Sequence, residues 1–169
     1  MRESDRRGIF AEWLAAHRGL LFKVVRAYAL TPQDQEDLFQ EIAVQLWRST
    51  SAFRGESAIT TWIYRVALRA AIAWTRRERR HRNSKPLDTV ESAILHVSSA
   101  YDPRVDWLYE QIRQLNEIDR SLTLLLLDGF SYKEMATMLG ITETNVGVKI
   151  TRIKARLTAR TQKESRHGI

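Results

Sequence analysis

The chain has 169 residues, enough for one domain or two small ones, and 28% of them are charged, with a net charge of +7. It contains no cysteine, which excludes disulfides, thiol catalysis and cysteine-bound zinc. Charged residues interrupt every apolar run before it reaches membrane-spanning length, and "MRESDRRGIFAEW" lacks the apolar core of a signal peptide. The expected location is therefore cytoplasmic.

Glycine and proline are scarce, 7 and 3, and most of the chain follows helical spacing, so the expected class is all-α. The first helix is expected from about Ile9 to Ala29, where "LTP" ends it. The next opens with Thr31 as N-cap and Pro32 at the first helical position, with acidic residues in its first turns, as the helix dipole favours. Along it Asp34, Asp37 and Glu41 form an acidic stripe, with Leu38 and Ile42 alongside. Such a surface suits a protein partner, because DNA would repel it.

"TSAFRGES" reads as a loop, and the longest helix follows from about Ile59 to Arg80. Arg65, Arg69, Arg76 and Arg80 recur at spacings that place them on one of its faces. Ile59, Ile63, Val66, Ala70 and Ala73 are expected on the apolar face. Trp62, Tyr64 and Trp74 stand among the arginines. Aromatic rings beside cations suit single-stranded nucleic acid, where charges track the backbone and rings stack on bases. For Trp62 a place in the core is an equal alternative.

A linker is expected next, because "NSKPLDTVESAILHVSSAYDP" holds two prolines, several serines and no sustained period. "RVDWLYEQIRQLNEI" and "DRSLTLLLLDGF" then read as two helices. In "SYKEMATMLG", Ser131 and Glu134 form a capping box and Gly140 closes the helix. A last helix begins near Glu143, with Val146, Ile150, Ile153 and Leu157 facing inward. This is the grammar of a helix-turn-helix. The other face carries Glu143, Thr144, Asn145, Lys149 and Arg152, with Lys154 and Arg156 further along. The N-terminal groups are expected to meet base edges and the later cations to hold phosphates. Gly147 is either a tolerated flaw or room for close approach to DNA; in a helix it costs about 1 kcal/mol relative to alanine. The basic excess concentrates in "RRERRHRNSK" and in this last helix, which suggests either a polyanion contacted twice or two solvated helix ends.

His17, His81, His96 and His167 are scattered without metal-ligand spacing, and no phosphate loop or nucleophile motif occurs. No enzymatic activity, metal or cofactor is therefore expected.

Three stretches together resemble the extracytoplasmic-function group of bacterial RNA polymerase sigma factors: "DLFQEIAVQLWR", "FRGESAITTWIYRVALRAAI" and "FSYKEMATMLGITETNVGVKITRIKARL". The resemblance spans about Leu20 to Leu157. It implies two small helical domains joined by a flexible linker: residues 1–84, a linker at 85–105, and a helix-turn-helix domain at 106–169. It also implies a non-catalytic factor that carries core polymerase to promoters and helps open them. Asp34, Asp37, Leu38, Gln40 and Glu41 would bind the largest polymerase subunit. Phe53, Trp62, Tyr64, Arg65, Arg69, Arg76 and Arg80 would handle the opened minus-ten strand. Glu143, Thr144, Asn145, Lys149, Arg152, Lys154 and Arg156 would bind the minus-thirty-five element, with the second-largest subunit nearby. An anti-sigma factor is an expected partner, and no membrane contact is expected. The chain departs from the family's usual Arg-Asn at Leu68-Arg69, which adds a charge to the minus-ten helix, and from the frequent Thr-Val at Asn145-Val146. A stand-alone helix-turn-helix transcriptional regulator is the alternative.

Overall fold

The computed structural model describes residues 2–83 and 102–167. Among them are eight α-helices and no strand, and the chain divides into two compact units, Met1–Asp102 and Pro103–Ile169. Most of the expected linker lies outside the described residues. At its end, α5 already begins at Pro103, a residue suited to the first turn because its missing N–H has no intrahelical partner there.

In the N-terminal unit, α2 (Arg18–Tyr28), α3 (Pro32–Ser49) and α4 (Ile59–Asn83) pack against one another, and α1 (Glu3–Ala16) lies on α3. The single helix expected from Ile9 to Ala29 is thus two. It starts earlier, at Glu3, and breaks at His17, whose backbone sits at φ −114° and ψ 18°. The backbone bonds into and out of the break survive: His17 N–H donates to Trp13 O and Leu21 N–H to His17 O, both at 3.1 Å. The break frees α1 to lean on α3. There Arg6 donates to Trp47 O at 2.6 Å and to Thr50 Oγ1 at 2.8 Å, and its guanidinium lies 4.3 Å from the Trp47 ring centroid. Phe10 meets the same indole edge-on at 5.4 Å.

The start of α3 follows the sequence expectation. Thr31 Oγ1 accepts from Asp34 N–H at 3.1 Å, and Pro32 opens the helix. Leu38, Ile42 and Leu46 point into the bundle and are fully buried.

The apolar face of α4 differs from the expected one. Ile63 and Ala70 are buried as expected, and with them Tyr64, Ala67, Leu68, Ala71 and Trp74, whereas Ile59 and Ala73 are exposed and Val66 is half-buried. Because α4 packs on both α2 and α3, its buried surface is wider than one stripe and is centred elsewhere.

In the C-terminal unit α6 (Glu117–Leu127) contacts α5 (Pro103–Arg113), α7 (Tyr132–Leu139) and α8 (Glu143–His167). The boundary between α5 and α6 falls earlier than expected. Asn116 is an N-cap whose side chain accepts from Asp119 N–H at 2.9 Å, so "NEI" opens α6 instead of ending α5. The core is Tyr109, Ile112, Leu122, Leu125, Met135, Met138, Val146, Ile150 and Ile153, with Leu157 half-buried at its edge.

The capping box is complete. Ser131 Oγ accepts from Glu134 N–H at 3.2 Å, and Glu134 Oε2 accepts from Ser131 N–H at 2.7 Å. The Ser131 backbone N–H, and after it the Ser131 hydroxyl, hold the Glu134 carboxyl below its ordinary range. Gly140 takes the left-handed conformation at φ 68° that ends α7. Thr142 then caps α8 by accepting from Asn145 N–H at 3.1 Å.

Candidate nucleic-acid interface

Three surfaces carry the residues singled out in the sequence, two on the N-terminal unit and one on the C-terminal unit.

The acidic helix α3 does not present its stripe intact. Asp34 pairs with Arg82 at 3.1 Å and Glu41 with Arg77 at 3.5 Å, both arginines coming from the end of α4. Gln45 also donates to Glu41, at 2.9 Å. Leu38, expected beside the acids on the partner surface, is fully buried, because its position in the helix turns it toward the bundle. Exposed on the outer face are Asp37, Gln40 and Val44, which share it at helical spacing. Val44 is 44% exposed, an apolar group that charge patterning did not single out.

On α4, Arg69, Arg76 and Arg80 are exposed and Arg65 is half-buried. Tyr64, placed with them from the sequence, has no exposed surface, so its ring cannot meet a strand. It lies one position before Arg65, a turn of about 100° around the helix, which carries it into the bundle.

Phe53 and Trp62 form one cluster. The Phe53 ring meets Trp13 at 5.6 Å and Trp62 at 5.5 Å, both edge-on. Trp62 donates from Nε1 to Ser49 Oγ at 3.3 Å, and Arg65 covers its ring at 4.6 Å. Phe53 thereby anchors the loop between α3 and α4, leaving Arg54, Gly55 and Glu56 exposed at its tip. Trp13 was not among the expected site residues. Its distance in sequence from Phe53 concealed the contact.

On the C-terminal unit, α7 and α8 form the helix-turn-helix. Glu143, Thr144, Asn145, Arg152, Lys154 and Arg156 are all exposed. Lys149 differs from the rest. Its ammonium pairs with Asp119 of α6 at 3.2 Å, and its side chain is only 28% exposed, so it is drawn back from the expected base-reading position. Arg156 donates weakly to Gln114 O at 3.5 Å, and Arg160 donates to the Gln111 side chain.

A Cβ built on Gly147 would meet nothing nearer than the Tyr132 ring at 3.7 Å, an ordinary contact. Gly147→Ala is therefore expected to raise stability by about 1 kcal/mol, measured by thermal unfolding. A drop in melting temperature would refute this.

Among the described residues no helix is long and apolar enough to cross a membrane. No group of three or more His, Cys, Asp or Glu among them could hold a metal ion.

Residues 13–81 match the family model described as Sigma-70 region 2, and residues 106–157 match Sigma-70, region 4. The ECF RNA polymerase sigma-E factor of Escherichia coli (strain K12) is 28% identical over 142 residues, covering 76% of this chain and 74% of that protein. The ECF RNA polymerase sigma factor SigM of Mycobacterium tuberculosis (strain ATCC 35801 / TMC 107 / Erdman) is 24% identical over 148 residues, covering 88% and 74%. The solved sigma factor RpoE in complex with the anti-sigma factor NepR, from Bartonella quintana, superposes with a TM-score of 0.76 at 18% identity, over 90% of this chain and 96% of that one. CnrH in complex with the cytosolic domain of CnrY superposes at 0.63 and 18% identity, over 93% and 90%. At such identity the two structures establish likeness of fold.

Proposed function

Since the chain belongs to the extracytoplasmic-function group of the sigma-70 family and serves as an alternative RNA polymerase sigma factor, we propose a division of labour among its surfaces. The N-terminal unit, functionally residues 1–84, binds core polymerase through the outer face of α3. It takes the opened minus-ten strand along Arg65, Arg69, Arg76 and Arg80, beside the Phe53–Trp62 cluster. The C-terminal unit, functionally residues 106–169, reads the minus-thirty-five element in the major groove through α8.

The observation that carries this reading is the sorting of charge by helix. The outer face of α3 offers Asp37, Gln40 and Val44, with Arg48 its one exposed cation in the last turn, while α4 and α8 expose arginines and lysines along much of their length. One surface therefore suits a protein and two suit DNA. The alternative of a stand-alone regulator gives way, because the N-terminal half matches region 2 of the same family.

The implied partners are the largest and second-largest subunits of core polymerase and promoter DNA. An anti-sigma factor is a further proposed partner, supported by the fold shared with the sigma factor RpoE, which was solved in complex with the anti-sigma factor NepR. Sigma factors are not catalytic by themselves, so strand opening here would draw on binding energy alone. The proposed location is the cytoplasm, where core polymerase is.

The test is affinity for core enzyme after Asp37→Lys and Gln40→Ala are combined. Both side chains are exposed, so the fold should persist. A loss of at least about tenfold, roughly 1.4 kcal/mol, is expected at a contact of this kind. Unchanged affinity in a variant of normal melting temperature would move the polymerase contact off this face.

A further inference from the structure

The centre of the outward face of α8 is not basic. Val146, Ile150 and Ile153 are buried, and the positions opposite them are Thr144, Val148 and Ala155, with Thr151 and Arg152 displaced about equally to either side, all exposed. Val148 is 45% exposed. On a helix otherwise rich in cations, this is an apolar side chain that the fold leaves partly uncovered. Thr151 adds to the apolar character. Its hydroxyl donates to Gly147 O at 2.9 Å, within its own helix, so it keeps no proton to donate outward and offers its methyl beside an oxygen that can only accept. Gly147, one position before Val148, adds no side chain that would hold a partner away.

The charges lie to either side. Arg152 and Arg156 occupy one flank and Lys154 the other, and Lys149 is held by Asp119. The result is an apolar strip with cationic margins. Double-stranded DNA has that pattern in reverse only where the major groove presents methyl groups between its phosphates. Thymine supplies the sole methyl among the four base edges, and the other exposed atoms are hydrogen-bond donors or acceptors that an unpartnered valine would leave unsatisfied.

Resting on the reading of α8 as the helix that enters the upstream promoter element, we propose that Val148, aided by the Thr151 methyl, selects that element by packing against thymine 5-methyl groups. Specificity at the middle of the helix is then apolar. Asn145, on the flank nearer the helix start, supplies a hydrogen-bonding contact to a neighbouring base.

The test removes single methyls from the DNA. Promoter duplexes recovered by the holoenzyme from a pool randomised in the upstream element are remade with deoxyuridine replacing each thymine in turn. Wild-type holoenzyme is expected to lose about fourfold in affinity at one or two positions, the equivalent of about 0.8 kcal/mol for a methyl-sized group. Holoenzyme carrying Val148→Ala should bind the thymine duplex more weakly and lose that sensitivity to deoxyuridine. Sensitivity that persists undiminished in Val148→Ala overturns the assignment to Val148. Recovered elements with no thymine on either strand, or insensitivity at every position, overturn methyl reading while leaving α8 as the upstream reader. If scrambling the whole upstream element leaves affinity unchanged, the reading of α8 itself falls, and this proposal falls with it.

Discussion

Leu38→Ala is expected to destabilise the N-terminal unit by about 2–5 kcal/mol, with core-polymerase affinity retained at temperatures where the variant stays folded. Leu38 has no exposed surface and lies in a seam with Ile42 and Leu46, on the side of α3 that packs against α2 and α4. Truncation removes three buried carbon atoms and leaves a cavity that rigid neighbouring helices can only partly close. Its neighbours in sequence behave differently. Asp37 and Gln40 point outward and their loss should hardly change stability, since surface replacements usually stay within about 0.5 kcal/mol. Denaturant unfolding followed by circular dichroism, together with titration against core enzyme, separates the two effects. If Leu38→Ala leaves the unfolding midpoint unchanged and still abolishes core binding, the side chain belongs to the interface and the packing described for α3 is wrong.

Ile150→Ala should have a comparable cost, about 2–5 kcal/mol, with a larger functional consequence. Ile150 is fully buried where α8 packs on α6 and α7. The unit it belongs to begins at Pro103 and is small. Below about 70–80 residues one hydrophobic core rarely supplies more than about 3–5 kcal/mol. The substitution is thus expected to consume most of that margin and unfold this unit alone. Calorimetry should show its transition lost or lowered while that of the N-terminal unit persists. Holoenzyme should retain core binding but no longer distinguish promoters by their upstream element. Retention of that discrimination by Ile150→Ala would mean that α8 is held in place by something other than this core. Val148→Ala, two residues away and exposed, is the matched control for stability.

The residues of the helix-turn-helix were legible because their determinants are local. The Ser131–Glu134 box, Gly140 and the inward run of Val146, Ile150 and Ile153 all act within one helical turn or its repeat. Thr31 and Pro32 at the start of α3 were legible for the same reason. What periodicity misplaced is what depends on partners distant in sequence. The break at His17 leaves that residue's own two backbone bonds in place, and its use emerges only where Arg6 reaches Trp47 and Thr50. The arginine face of α4 was readable, but its buried face only in part, through Ile63 and Ala70. A helix packed on two neighbours buries a wider arc than one stripe, and that arc takes in Tyr64.

Charge divides in the same way. A sequence displays which residues are charged, and it located both basic concentrations and the acidic start of α3. It does not display which charges are neutralised. Arg82 and Arg77 reach Asp34 and Glu41 across 48 and 36 positions of chain, and Asp119 draws Lys149 back across 30. Those pairings follow from how the helices cross, and through them the tertiary structure leaves Asp37, Gln40 and Val44 as the open face of α3. The sequence by itself determined the helical class, the helix-turn-helix and the family. The tertiary structure alone decided which of the singled-out side chains remain available, because availability depends on what packs opposite, and hydrophobic spacing within one helix carries no information about its neighbour.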